Sequence, residues 1–443
     1  MNVTERKVVH DPIHGSITLD GPFLEVMDRH EIQRLRSIRQ LGLSNAVFPG
    51  ANHTRFEHSL GVYHLAGRMA DSMGLSEEES DTIRMAALLH DVCHPPFSHT
   101  LERMMESITG LDHMEMSRAL IMGDVPSFME RDRSYFDGID PLCTLMEDAG
   151  ISPEEVCDLI INPHSDTGGF TLSGYGSGQS SFSDREYAHQ IIHGPVDADQ
   201  MDYLMRDAHY TGVIHGAVDK DRLLSQMDIY NGRMVIRKGG IVAAEGLMVA
   251  RTLMYSSVYY HKTVKTVEAM LRRAIEVSDL DLSELYLMTD ADLTSALLGC
   301  GGLSSDMMRS VLNRRLYKNA VIVYSADASE DFKASLVRYT DADRRRSLEC
   351  EIASAIGADP AEVIVDVPSE SSLLSKAKVG KTDVSVLIGD RVRPISRYSS
   401  VAKALQSRDP IDWCVMVSVP ERLRSDAERA ARRILSLDDA DGS

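Results

Sequence analysis

The sequence predicts a mainly α-helical fold with a smaller α+β C-terminal domain. Three observations predict it. Apolar residues recur at helical spacing through most of residues 22–318. Four β-rich stretches, 320–324, 363–367, 384–388 and 413–419, gather after residue 318, with helical patterns between them and at 421–435. The 443 residues are enough for two or three domains around a large core. The expected division is residues 1–318 and 319–443.

Composition narrows the functional classes. A formal net charge of −20 opposes a general nucleic-acid-coating role, which normally needs a basic surface. It does not oppose an anionic ligand, because a metal ion and a few arginines make a local positive pocket. The six cysteines (Cys93, Cys143, Cys157, Cys300, Cys350, Cys414) show no Cys-x-x-Cys spacing and read as reduced thiols. The N-terminus has no apolar leader. The most apolar stretch, 241–250, is interrupted by Glu245 and is too short to span a bilayer. A cytoplasmic protein with no membrane partner is expected.

The elements follow in order. Residues 8–20 read as extended, with a turn at His14-Gly15. Pro22 suits a first helical turn, and helices are expected at 22–28 and 30–41, the second with Ile32, Leu35 and Ile38 inward. A Pro49-Gly50 loop leads to a helix on which His58, Val62, Leu65 and Met69 share a face. Ser76 caps a helix over 77–89 that delivers His90-Asp91. Pro95-Pro96 cannot continue a helix, so His94 and His99 lie in a turn.

Residues 163–184, rich in Gly and Ser, read as a mobile loop, either an active-site cover or a passive insertion. Asp199, Tyr203 and Arg206 share a helical face beyond it. Residues 227–237 carry a hairpin signal, since Asn231-Gly232 supplies the positive φ angles of a type I′ turn. A long helix over 244–277 then presents Arg251, Tyr255, Tyr259 and Lys262 at helical spacing.

Taken singly, the chemistry-bearing residues say little. A His-Asp dipeptide is common, His58 alone reads as a core histidine, and Asp197 or Asp199 alone as a helix N-cap. Together His58, His90, Asp91 and Asp199 form the pattern His…His-Asp…Asp, each on a predicted helix. This set resembles the HD phosphohydrolase superfamily, which binds a divalent metal with these residue types in this order. Two nitrogens and two oxygens suit one Mn, Fe, Co or Ni ion, with Zn or Mg also open.

The sequence is more closely similar to the deoxynucleoside triphosphate triphosphohydrolase branch, which includes the vertebrate enzyme with a sterile-alpha-motif domain. The matching stretches are Asp11-Pro12-Ile13-His14-Gly15, Gln33 to Arg36, Gln40-Leu41-Gly42, Phe48 to Ala51, Arg55 to Val62, and His90 to His99. Asp197 to Asp207, Tyr259 to Lys262 and Arg314 to Lys318 complete them.

The resemblance implies that His94, His99 and His113 stand near the α-phosphate, one of them protonating the leaving oxygen or orienting the nucleophile. It places Arg55 and Arg251 on the triphosphate, and Arg206 has the same planar donor fork. It puts Tyr203 and Asp207 around the sugar 3′-hydroxyl, Gln40 and Leu41 near sugar and base, and Tyr259 among the substrate-binding residues. Tyr203 and Leu41 packed against C2′ would reject a ribose. Asp28 and Arg36 would read a guanine effector, and Arg314 and Lys318 would hold nucleotide phosphates between subunits of a homo-oligomer, a dimer or tetramer.

Two departures stand out: Gln200 where many relatives place lysine, and Met114 where glutamate is often found. The implied reaction converts deoxynucleoside triphosphates (dNTPs) to deoxynucleoside and inorganic triphosphate. A phosphatase or phosphodiesterase on other nucleotides, and a nucleotide sensor with little turnover, are the alternatives. The sequence has no Walker-type loop and no Gly-x-Ser-x-Gly elbow.

Overall fold

The computed structural model describes residues 6–161, 185–373, 384–406 and 411–437, and the predicted loop at 163–184 lies outside them. The chain is mainly helical, as expected. It opens with an antiparallel hairpin of β1 (Arg6–Asp11) and β2 (Gly15–Asp20), Asp11 standing opposite Gly15. A helix over Gly21–Met27 has Pro22 in its first turn. The expected helix at 30–41 is much shorter. It is α-helical only over His30–Gln33 and tightens to a 3₁₀ turn over Arg34–Ser37. Ile38 is then extended, because Arg39 pairs with Thr54 in an isolated bridge.

Three helices build the centre of the molecule. The first, Arg55–Met73, starts at a capping box of Thr54 and Glu57 and stops at the left-handed Gly74. The second, Glu77–Leu89, is capped by Ser76 and Glu79. These two pack together and bury Leu65, Met69, Ile83 and Met85 completely, each worth roughly 1.5–3 kcal/mol. The third, Ala198–Thr211, begins at Asp197, whose carboxylate accepts the Gln200 N–H at 2.7 Å, and packs on the first.

Beyond them β3 (Met227–Tyr230) and β4 (Arg233–Arg237) form the expected hairpin, with Asn231 at φ 51° and Gly232 at φ 75°. Five strands follow: β5 (Lys318–Tyr324), β6 (Ile364–Asp366), β7 (Ser385–Ile388), β8 (Arg391–Pro394) and β9 (Trp413–Val419). They do not form one C-terminal sheet. β7 pairs in parallel with β4, giving a sheet ordered β3-β4-β7-β8, while β5-β9-β6 is a separate antiparallel sheet. Val384, Val386, Ile395 and Ala402 accordingly sit in the main core; among the described residues the β5-β9-β6 sheet with helices Ala342–Ile356 and Arg424–Ile434 has a core of its own, and Ile411, Trp413 and Met416 form a further small cluster. Strands β4 and β7 thus pair across the expected division at 318/319, and pairing between distant strands leaves no local pattern.

The expected helix at 244–277 is also broken. Ile241–Met254 is α-helical, Tyr255–Tyr259 is a π-turn, and Lys262–Glu276 restarts after an extended His261. Apolar spacing continues through the break and hides it. Among the described residues, 238–259 has the length and composition of a membrane-crossing helix, but half of it is buried, as in the core helix of a folded domain.

Candidate metal centre and cavity

The helices bring the four expected ligands to one point. His58 leaves the first turn of its helix, His90 and Asp91 leave the end of theirs, and Asp199 stands in the first turn of the third. His58 Nε2 is 3.1 Å from Asp199 Oδ1 and 3.7 Å from Asp91 Oδ2. His90 Nε2 is 3.5 Å from Asp91 Oδ2 and 3.9 Å from Asp199 Oδ1. Both Nε2 atoms are buried and make no aligned hydrogen bond among the described residues. The two orphaned imidazole nitrogens and Asp91 form a cluster that could hold a divalent ion, and Asp199 Oδ1 stands beside it within 3.9 Å of both rings.

Each ligand is braced from behind. His58 Nδ1 donates to Asp202 Oδ2 at 2.7 Å, and His90 Nδ1 to the Ala87 carbonyl at 2.8 Å. Burial alone would raise the Asp91 carboxyl, but Arg55 first, then the surrounding histidines, hold it well below the carboxylate range. Burial would likewise lower His58, yet the Asp199 and Asp202 carboxylates push it up to about 10, so without an ion the same oxygens hold a proton on this ring.

A histidine cluster lies beside the quartet. The His94 ring centroid is 4.9 Å from His99 and 4.7 Å from His113. His94 is fully buried with neither ring nitrogen paired among the described residues, and burial together with the Arg55 charge keeps it neutral, well below the ordinary imidazole value. Burial also opposes charge on His113, but there Glu102 prevails and raises it. Glu102 bonds both His113 Nδ1 and His99 Nδ1, the latter at 2.9 Å. Glu102 therefore supplies the carboxylate that Met114 cannot. Sequence reasoning missed it, although its place three residues after His99, within one helical turn, was a usable signal.

A cavity of about 420 Å³ opens in front of these groups, within the roughly 300–1,000 Å³ usual for small-molecule sites. Its wall includes Gln40, Leu41, Arg55, Tyr203, Asp207 and Tyr259 among the expected residues, and Tyr255, His193 and Lys265 among those not expected. Arg55 donates Nε to Ser98 Oγ at 2.9 Å and one terminal nitrogen to Asp91, leaving Nη2 without a partner among the described residues. Asp207 Oδ2 accepts from the Tyr259 hydroxyl at 2.6 Å and Oδ1 from His53 at 2.8 Å.

Two expected phosphate contacts are elsewhere. Arg206 is fully buried and outside the cavity wall, with Nε and Nη2 on Asp202 at 2.8 and 2.9 Å and Nη1 on Asp11 at 2.7 Å. Its whole fork serves these two carboxylates, so the structure does not bring it to the cavity with the other expected residues. Arg251 lies over the Tyr255 ring at 5.6 Å and does not border the cavity. Gln200 is also turned away, bonding the Gly194 carbonyl at 3.0 Å.

The four expected effector residues are on the surface. Asp28 pairs with Lys7 at 3.0 Å, and Arg36 donates to Gln33 at 2.7 Å above the Phe56 ring. Arg314, left-handed at φ 54°, donates to the Ala46 carbonyl at 2.8 Å and borders two pockets together with Lys318.

A helical core that presents His…His-Asp…Asp to one point defines a phosphohydrolase class. The HD domain model matches residues 55–207, and the model of the HD associated region matches residues 218–443. The chain belongs to the HD phosphohydrolase family. An uncharacterized protein of Methanocaldococcus jannaschii is 32% identical over 424 residues, covering 94% of this chain and 79% of that one.

A Dictyostelium discoideum protein named as a deoxynucleoside triphosphate triphosphohydrolase SAMHD1 homolog is 27% identical over 334 residues, 70% of this chain and 59% of that one. The human protein of the SAMHD1 name is 30% identical over 297 residues, 63% of this chain and 46% of its own. The chain thus spans only about half the length of these two. A solved structure of a hypothetical protein from Aquifex aeolicus has a TM-score of 0.70 at 25% identity, covering 96% of this chain and all of the other.

Proposed function

We propose that this chain hydrolyses dNTPs in one step to deoxynucleoside and inorganic triphosphate. The observation that carries the reading is the shared cavity wall: the candidate ligands His90, Asp91 and Asp199, a neutral histidine, a carboxylate-held histidine, an arginine donor and a tyrosine–aspartate pair, with His58 directly behind the ligands. The names of the Dictyostelium and human relatives support the substrate class.

A divalent ion held by His58, His90, Asp91 and Asp199 would supply Lewis-acid polarisation of a phosphoryl oxygen. The residues do the rest. Arg55 Nη2 would take a phosphate oxygen in a charge-assisted bond. His94, kept neutral, would orient the attacking water and accept its proton, and His99 at the rim would steady the phosphates. His113, backed by Glu102, would deliver a proton to the departing 5′-oxygen.

The bond formed is water oxygen to α-phosphorus, the bond broken is α-phosphorus to O5′, and one proton is taken and one given. Two histidines whose pKa values are driven apart are the pattern of an acid/base pair. Asp207 and Tyr259 would hold the 3′-hydroxyl, Gln40 would face the base, and Leu41 with Tyr203 would exclude a 2′-hydroxyl.

The experiment is a panel of dNTPs, NTPs and nucleoside monophosphates with Mn²⁺-loaded protein and identified products. Turnover of dNTPs with triphosphate release is expected. Turnover of monophosphates alone, or tight nucleotide binding without turnover, would favour the phosphatase or the sensor.

We further propose that Asp28, Arg36, Arg314 and Lys318 take a nucleotide effector between subunits of a homo-oligomer. The support is the pair of pockets of about 170 and 500 Å³ bordered by Arg314 and Lys318. Sedimentation with and without GTP checks it: a larger assembly with GTP is expected, and identical assembly and activity would contradict it.

A further inference from the structure

The Asp11-Pro12-Ile13-His14-Gly15 motif lies ahead of the matched HD domain and has no part in the cavity wall. Its contacts give it a purpose. Asp11 Oδ1 accepts the backbone N–H groups of Ile13 at 2.9 Å and His14 at 2.8 Å, which shapes the turn between β1 and β2. Its other oxygen accepts from Arg206 Nη1. The turn aims His14 inward, where Nε2 meets Asp202 Oδ1 at 2.7 Å, and Lys220 Nζ lies 3.4 Å from the outer His14 Nδ1.

Asp202 is thus held on every side. Oδ1 accepts from His14 and Arg206, and Oδ2 accepts from Arg206 and from His58 Nδ1. Its side chain is 0% exposed. Four bonds from three directions leave this carboxylate no freedom to rotate.

We infer that Asp202, clamped by His14 and Arg206 through the N-terminal hairpin, is the positioning residue that fixes His58 in its metal-binding tautomer. This rests on the reading of His58 as a metal ligand. An ionised carboxylate only accepts, so the neutral, metal-binding ring keeps its proton on Nδ1 and turns its Nε2 lone pair toward Asp199 and Asp91. His90 reaches the same state through the Ala87 carbonyl, a backbone acceptor that needs no second element.

Gly61, one turn beyond His58, completes the device. A Cβ there would lie 1.9 Å from Asp202 Oδ1 and 2.5 Å from Arg206 Nη2. The bare turn is what admits the carboxylate to the His58 helix.

The test uses Mn²⁺ alone as the probe, so it does not depend on any substrate. In Asp202→Asn the amide can donate to His58 Nδ1, which moves the ring proton to Nε2. Mn²⁺ affinity should fall by roughly 10–100-fold, the range for losing an outer partner of a ligand histidine. In the metal-free protein, at a pH where the His58 ring is neutral, its ¹⁵N pattern should change from Nδ1–H to Nε2–H, a shift that a merely structural role would not produce. If Asp202→Asn does not fold, His14→Ala, which removes one clamp but keeps Arg206, should weaken Mn²⁺ in a protein of native circular dichroism.

A folded variant at either position with native Mn²⁺ affinity and an unchanged His58 tautomer would overturn the inference. His58→Ala separates the two levels. If it binds Mn²⁺ as the native chain does, the ligand set itself is wrong and the inference goes with it. If it loses Mn²⁺ while Asp202→Asn keeps it, only the positioning role is wrong.

Discussion

Replacing His90 by alanine is expected to remove the bound divalent ion and the turnover together while the helical fold survives. His90 is the cleanest ligand to delete, because behind the site it bonds only its own helix, through the Ala87 carbonyl. Losing an outer partner of a metal site costs roughly 10–100-fold, so losing a ligand should cost more than that. Asp91→Ala should be equally inactive but also less stable, since it strips the ion pair from the buried Arg55 guanidinium. Metal analysis beside circular dichroism checks both. Full metal occupancy with native activity in His90→Ala would sink the quartet.

The second large effect is on stability. Arg206→Ala should destabilise the fold by about 3–5 kcal/mol, because it leaves the buried carboxylates of Asp202 and Asp11 without their cation. Urea unfolding of the metal-free protein gives the number directly. Arg206→Lys should recover only part of it, since one ammonium cannot reproduce three bonds shared between two carboxylates. A variant of native stability whose KM for dNTP rises would return Arg206 to the phosphates.

Arg206 also shows where the sequence could and could not be read. Helical spacing puts Asp199, Tyr203 and Arg206 on one broad face, and the first two do border the cavity. The same helix offers Asp202 four residues before Arg206, and that partner takes the guanidinium. Spacing defines a face about a quarter-turn wide at best, and the buried charge decides within it. Elements set by local chemistry were legible: the Ser76 cap and the Asn231-Gly232 turn. Elements set by distant partners were not. The pairing of β7 with β4, the π-turn at Tyr255–Tyr259 and the bond from His14 to Asp202 each join or bend chain where local patterning stays unchanged.

In the proposed reaction a single attack at the α-phosphorus releases triphosphate, with protons handled by His94 and His113 beside the metal ligands. Chromatography of the earliest products from dGTP and the Mn²⁺-loaded protein distinguishes this from stepwise hydrolysis. Deoxyguanosine and inorganic triphosphate are expected in equal amounts from the first turnovers, with no dGDP. Early dGDP and orthophosphate would rule out the single attack.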